Sequence, residues 1–262
     1  GGALFGIKLT VDEGWHIYWR NPGDTGLPTE IAWSLPDQFA ISPRVWPIPE
    51  RFTVGELVNY GYKDSVVFPQ TVSWPRSSPS AVYTIAADVS WLVCKELCIP
   101  GSASVARTIL IGLSNRSSQS VEELENSLRT LPNKAPADLY GLSVSDNGDW
   151  AIDLGDDPHE DIVHAEYFPY SAGEIDMQTV QVVDRYSGGR RVRGKLIEGS
   201  DVYERGVNGV LVVETNEGIS RIGKVINAHP ERVVFLEDAP DTVQVDSNIG
   251  SLWIALIFAL VG

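Results

Sequence analysis

Most of this chain consists of short runs in which apolar and polar residues alternate, separated by clusters of Gly, Pro, Asn and Asp. A period of two marks a strand with one face on a core. Leu4-Phe5-Gly6-Ile7-Lys8-Leu9-Thr10-Val11 is the first such run, and Trp15-His16-Ile17-Tyr18-Trp19 follows it across the turn Asp12-Glu13-Gly14. RNPGDTGLPTE is a Pro- and Gly-rich loop before a short strand around Ile31–Trp33. Further strands are expected at 65–74, at AVYTIAADVSWLV and at SVARTILI. In the second of these, Val89, Trp91 and Val93 alternate with Ser90 and Leu92. Between the last two, Ile99-Pro100-Gly101 excludes a helix, because proline lacks the N–H a helix interior needs. Several short strands with turn signals at such spacing point to a β-sandwich over 1–113.

The pattern changes at 114–138. A Ser/Asn-rich start leads to SVEELENSLRTLP, where Ser120 and Glu123 have the spacing of a capping box and Val121, Leu124 and Leu128 share one helical face. Leu131-Pro132 ends it, so this segment reads as a linker with a short helix. Alternation returns over 139–247 in LSVSDNGDWAIDL, IVHAEYFPY, TVQVVDRY, VNGVLVVET and ERVVFLED, with a hairpin at Asp146-Asn147-Gly148-Asp149. The fold class is therefore all-β, two β-sandwich domains joined by a short helical linker. Residues 248–262 differ again. From Ile249 the run IGSLWIALIFALVG carries no charge, and it reads as the opening turns of a transmembrane helix with Trp253 near the interface. A terminal core element is the alternative. The chain opens directly in a strand with no signal peptide, as expected of a processed piece.

Composition narrows the functions. A formal net charge of −15 argues against nucleic acid, which needs a basic footprint, and against docking on anionic lipid. GDDPHED, at 155–161, is an acidic loop without calcium-loop spacing, and SGGRRVRGK, at 187–195, reads as a basic surface turn. His16, His159, His164 and His229 show no metal-ligand spacing, and no catalytic triad or phosphate loop is present. The tryptophans and tyrosines Trp15, Tyr18, Trp19, Trp33 and Trp46 read as core and loop packing, with a carbohydrate platform as the alternative. A loop carrying Glu56, Asn59, Tyr60, Gly61 and Tyr62 is either a plain hairpin or a lid over a reactive site.

The candidate chemistry lies in DVSWLVCKELCIPGSASV, 88–105, which holds the only two cysteines, Cys94 and Cys98. They fall on a tight crossing between two strands, with Lys95-Glu96-Leu97 at the turn. A disulfide closing so small a loop adds little stability, since the entropic effect grows with loop length. Three uses compete. They are buried thiols or a static staple, a two-thiolate copper(I) site, and a redox dithiol. Structural zinc normally takes four ligands, and C-x3-C offers two. Lys95 favours a thiolate and Glu96 opposes it.

W-L-V-C-K-E-L-C-I-P-G, 91–101, resembles the W-x-x-C-x-x-x-C-x-P signature of the N-terminal periplasmic domain of DsbD-like membrane disulfide reductases. GWHIYWRNPGDTGLPTEIAW and GYKDSVVFP are similar to the copper-sensitivity suppressor (ScsB) branch. The likeness covers nearly the whole chain and is strongest over 1–112. It implies an immunoglobulin-like fold and a Cys94/Cys98 pair that cycles between dithiol and disulfide without a cofactor or metal. Electrons would arrive from the membrane domain of the same protein. They would leave to periplasmic thioredoxin-fold proteins linked to copper tolerance or peroxide defence. It implies a location on the periplasmic face of the bacterial inner membrane, a lid near Tyr60, Gly61 and Tyr62, and Cys98 as the cysteine that pairs with partners. This chain departs from the prototype in its narrower cysteine spacing and its second sandwich.

Overall fold

A computed structural model describes residues 1–111, 121–134, 140–154, 162–186, 189–215, 220–228 and 230–232. The first half runs β1 (Gly2–Thr10), β2 (His16–Gly23), β3 (Glu30–Ser34), β4 (Ala40–Ile41), β5 (Glu50–Val54), β6 (Leu57–Lys63), β7 (Ser65–Ser73), β8 (Val82–Cys94) and β9 (Cys98–Leu110). Helix α1 (Val121–Arg129) follows. The second half runs β10 (Asn133–Lys134), β11 (Leu142–Val144), β12 (Asp149–Asp153), β13 (Ile162–Pro169), β14 (Val182–Tyr186), β15 (Gly189–Lys195), α2 (Val202–Arg205), β16 (Val207–Thr215), β17 (Ser220–Ala228) and β18 (Pro230–Arg232). The expected all-β class holds.

The first half stacks a β1-β7-β4 sheet against a larger one ordered β3-β8-β2-β6-β5, with β9 paired along the whole of β8. Its core holds Ile17, Trp19, Tyr60, Tyr62 and Phe68, and the alternation of Ile17 and Trp19 with His16 and Tyr18 puts the two sets on opposite faces of β2. The second half pairs sheets ordered β10-β17-β16-β13 and β14-β15-β12-β11-β18.

Strand β16 explains why the sequence run Val210-Leu211-Val212-Val213 does not alternate. Leu211 and Val213 enter the second core, while Val210 and Val212 enter the first, and all four are buried. A strand covered on both faces reads as a continuous apolar run. Beside it on β13, Tyr167 faces the second core and Phe168 the first. The β16 sheet is therefore a layer shared by both halves. Polar contacts reinforce the junction. Asn21 Nδ2 donates to the carbonyls of Pro169 (2.9 Å) and Ser171 (3.2 Å), Arg51 Nη2 donates to Met177 O (2.9 Å), and the Arg20 guanidinium lies 4.1 Å from the Tyr170 ring centroid.

Several local expectations are met. Gly148 takes φ 77° in the 146–149 turn, which joins β11 to β12 with Val144 opposite Trp150. Helix α1 is present, but Leu128 is exposed, and its inward face carries Val121, Leu124 and Ser127. Others are corrected. Most of the basic turn expected at 187–195 is strand β15, whose Arg191 and Arg193 pair with Asp184 (2.9 and 2.7 Å). Of the two readings of the stretch carrying Glu56, Asn59, Tyr60, Gly61 and Tyr62, the plain hairpin is the one that forms: β5 and β6 pair across a turn at Gly55-Glu56, and 59–62 lie within β6. Ser120, the 155–161 loop and the boundaries expected at 113/114, 138/139 and 247/248 lie outside the described residues, as does the apolar run from Ile249. Among the described residues no helix is long and apolar enough to cross a membrane.

One buried carboxyl tunes stability with pH. Glu174 accepts a hydrogen bond from Tyr167 Oη (3.2 Å), and burial pushes its pKa from 4.5 up to about 7 against the opposing Tyr167 bond. Between those values the folded state binds more protons than the unfolded, so stability falls as pH rises through that window. Glu174→Gln is expected to stabilise the chain by about 1–2 kcal/mol above about pH 7, allowing for solvent screening, with the gain vanishing below pH 4.5. Urea midpoints across pH check this.

Candidate functional site

Cys94 ends β8, Cys98 begins β9, and the two face each other in the last register pair of the hairpin. A disulfide joins them across Lys95-Glu96-Leu97. The two sulfurs differ in access. Cys94 is 3% exposed, because it is flanked on both sides in the sheet, by Cys98 of β9 and by His16 of β2. Cys98 lies exposed on the outer strand, between Leu97 (77% exposed) and Ile99 (52%).

The floor beneath Cys98 comes from β2. Tyr18 is 1% exposed, and its Oη lies 3.8 Å from Cys98 Sγ. His16, two residues earlier on the same face, is also buried and brings Nε2 within 3.3 Å of Tyr18 Oη. The His16 ring packs 4.3 Å from the Phe52 ring of β5. Lys63 of β6 stands opposite His16 and reaches over Phe52 at 5.4 Å. Burial, then the Lys63 charge, lowers the His16 pKa, so the imidazole is neutral at physiological pH. Burial raises the Tyr18 pKa, offset in part by the Thr25 hydroxyl, so the phenol keeps its proton.

A short loop closes over Tyr18. Gly26 takes φ 99° and sits flush on the Tyr18 ring, so that any Cβ there would strike the ring. The loop is pinned to β6. Val58 N–H donates to the Asp24 carboxylate (2.8 Å), and the Thr25 hydroxyl donates to Asn59 Oδ1 (2.9 Å).

The lid expected at Tyr60, Gly61 and Tyr62 is therefore corrected. All three are interior β6 positions paired to β2 or β5. Tyr60 is fully buried between Trp19 and Phe168, and Tyr62 donates from Oη to Pro47 O (2.8 Å). Gly61 pairs with Tyr18, where a Cβ would collide with the Ile17 carbonyl. Backbone bonded into a sheet interior cannot swing off a reactive sulfur. Of the residues around the disulfide, sequence reasoning singled out the cysteines alone as chemistry. His16 and Tyr18 carried a signal, two polar-tipped rings spaced by two on one strand, but Tyr18 read as packing and His16 only as a histidine without metal-ligand spacing. Among the described residues no group of three or more His, Cys, Asp or Glu is placed to hold a metal.

The family model described as the N-terminal region of the thiol:disulfide interchange protein DsbD matches residues 2–109, a span that includes β1 to β8 and the disulfide hairpin. Residues 2–109 are a DsbD-like domain. This DsbD-like part is thus a thiol–disulfide exchange domain, with Cys94–Cys98 as its redox-type pair. The crystal structure of the N-terminal periplasmic domain of ScsB from Proteus mirabilis is similar in fold, with TM-score 0.57 and 18% identity over 87% of this chain and 88% of that one. That coverage carries the likeness past the DsbD-like part into the second half. An endo-fucoidan hydrolase of glycoside hydrolase family 107 aligns at TM-score 0.18 and 8% identity, over 80% of this chain and 28% of that one, too weak for any argument. No curated protein sequence matches the chain.

Proposed function

We propose that this chain is the periplasmic part of a membrane disulfide reductase of the ScsB branch. It takes electrons from the membrane domain of the same protein and passes them to periplasmic thioredoxin-fold proteins tied to copper tolerance or oxidative stress. The observation that carries the reading is the unequal access of the two sulfurs in a DsbD-like hairpin, Cys98 open to a partner and Cys94 buried behind it.

The chemistry follows from that asymmetry. In the loading half, a donor thiolate attacks Cys98 Sγ, the Cys94–Cys98 bond breaks, and Cys94 leaves as a thiolate. The donor's second thiolate then attacks its own sulfur in the mixed disulfide and releases Cys98 as a thiolate. In the unloading half, the Cys98 thiolate attacks the partner's disulfide. Cys94 attacks Cys98 Sγ, the hairpin disulfide re-forms, and the partner leaves reduced by two electrons. No metal or cofactor enters either half.

Equilibration in glutathione buffers of graded poise, with free thiols counted by alkylation and mass, tests this. Cys94 and Cys98 are expected to titrate together as one two-electron couple. Thiols that stay reduced and unreactive across the range would overturn the reading and leave copper(I) ligation or a structural role.

A further inference from the structure

We infer that Tyr18 is a catalytic residue of the exchange, donating a hydrogen bond to the Cys98 thiolate, and that His16 is the positioning residue that aims it. The inference rests on the exchange function above. In the disulfide neither sulfur carries a proton, so across the 3.8 Å contact only Tyr18 Oη can donate. Its oxygen is then left to accept, and the ring nitrogen 3.3 Å away, His16 Nε2, donates to it. The chain His16 Nε2–H to Tyr18 Oη–H to Cys98 Sγ runs in one direction, so each bond polarises the next. Its position is fixed from three sides. Phe52 packs on the imidazole, Gly26 sits on the phenol ring, and β6 pairs along β2 beneath both.

The arrangement acts where charge appears. Cys98 bears a full negative charge when it is released from the donor and again when it attacks a partner. Among the described residues no helix ends at the hairpin to supply that stabilisation, since the cysteines lie on paired strands. A phenol held beneath the sulfur supplies it, while the outer side of Cys98 stays open to the partner. The proton remains on Tyr18 throughout, and no group is oxidised or reduced beyond the sulfurs. Charged groups near the pair include Lys63 on β6, opposite His16, and Lys95 with Glu96 in the hairpin turn.

The test uses the 262-residue chain carrying Cys94→Ala, so that Cys98 is the sole thiol, and follows its attack on oxidised glutathione against pH. Adding Tyr18→Phe is expected to move the midpoint of the pH–rate profile up by about one pH unit, in line with losing a hydrogen bond to a charged group. A more basic thiolate is less populated but more nucleophilic, with a Brønsted slope of about 0.4–0.5. The profiles should therefore cross, Tyr18→Phe being about threefold slower below the midpoint and about threefold faster above it. A packing defect would slow the reaction at every pH and give no crossing. His16→Leu should shift the profile in the same direction by less, and His16→Gln, which keeps a donor at similar reach, should restore it. Thermal unfolding confirms that each variant is folded. Superimposable profiles for Tyr18→Phe and its parent overturn the inference. A parent that fails to react at any pH overturns the exchange function itself.

Discussion

Cys94→Ala is expected to accumulate a stable mixed disulfide with an oxidised thioredoxin-fold partner, whereas Cys98→Ala accumulates none. Both variants should lose turnover entirely, because two-electron transfer needs both sulfurs. The difference in trapping comes from access. A partner disulfide must bring its sulfur within bonding distance of the attacking thiolate, and Cys98 offers an exposed position on the outer strand. Cys94 is 3% exposed, paired to His16 and screened by its own hairpin. With Cys94 absent, nothing in the chain attacks Cys98 Sγ, and the intermediate persists. With Cys98 absent, Cys94 would have to leave the sheet to meet a partner. Non-reducing mass spectrometry of the mixture reads the result directly. Trapping by Cys98→Ala but not by Cys94→Ala would reverse the two roles.

Trp19→Ala is expected to destabilise the chain by about 3–5 kcal/mol, the range for deleting a large buried ring. Trp19 is fully buried and touches Tyr60 of the first half together with Phe168 and Tyr170 of the second, at centroid distances of 6.4, 6.2 and 5.6 Å. Its indole N–H is buried without an acceptor among the described residues, so the variant also removes an unpaired donor, and the lower end of the range is expected. Because the ring joins both cores, one urea transition should shift as a whole, whether followed by tryptophan fluorescence or by far-UV circular dichroism. A loss below about 1 kcal/mol, or a shift in only one probe, would mean that the β16 layer does not couple the halves.

Alternation made most strands legible, and the cysteine crossing was legible down to its Lys95-Glu96-Leu97 turn. What escaped had physical reasons. In β6, Asn59-Tyr60-Gly61-Tyr62 looks like a loop because Asn and Gly are turn formers. Yet Asn59 is buried accepting bonds from Thr25, and Gly61 is there because β2 passes too close for a side chain. In β17, Gly223 interrupts the pattern for the same reason, since a Cβ would lie 2.6 Å from Ile48 Cγ1. Burial of the Val210–Val213 run on two faces depends on a layer contributed by the other half, which no local window contains. Tyr18 became a functional candidate through a contact with Cys98, 80 residues away, that pairing of β2 with β8 creates, and His16 through its contact with Tyr18.

The register of the β8–β9 hairpin bears on timing. Cys94 and Cys98 are the last of thirteen facing pairs, and the pairs from Val82↔Leu110 to Val93↔Ile99 hold the strands together whether or not the sulfurs are bonded. Reduction therefore leaves the two thiols opposite each other, and the effective molarity of Cys94 toward a mixed disulfide on Cys98 is set by sheet geometry. Well-oriented intramolecular groups reach effective molarities of about 10⁵–10⁸ M. Thiols free in solution cannot compete with a neighbour of that kind. On the proposed exchange function, a partner caught on Cys98 would thus be released by the hairpin before a stray thiol could intercept it, and the electrons would stay on their route.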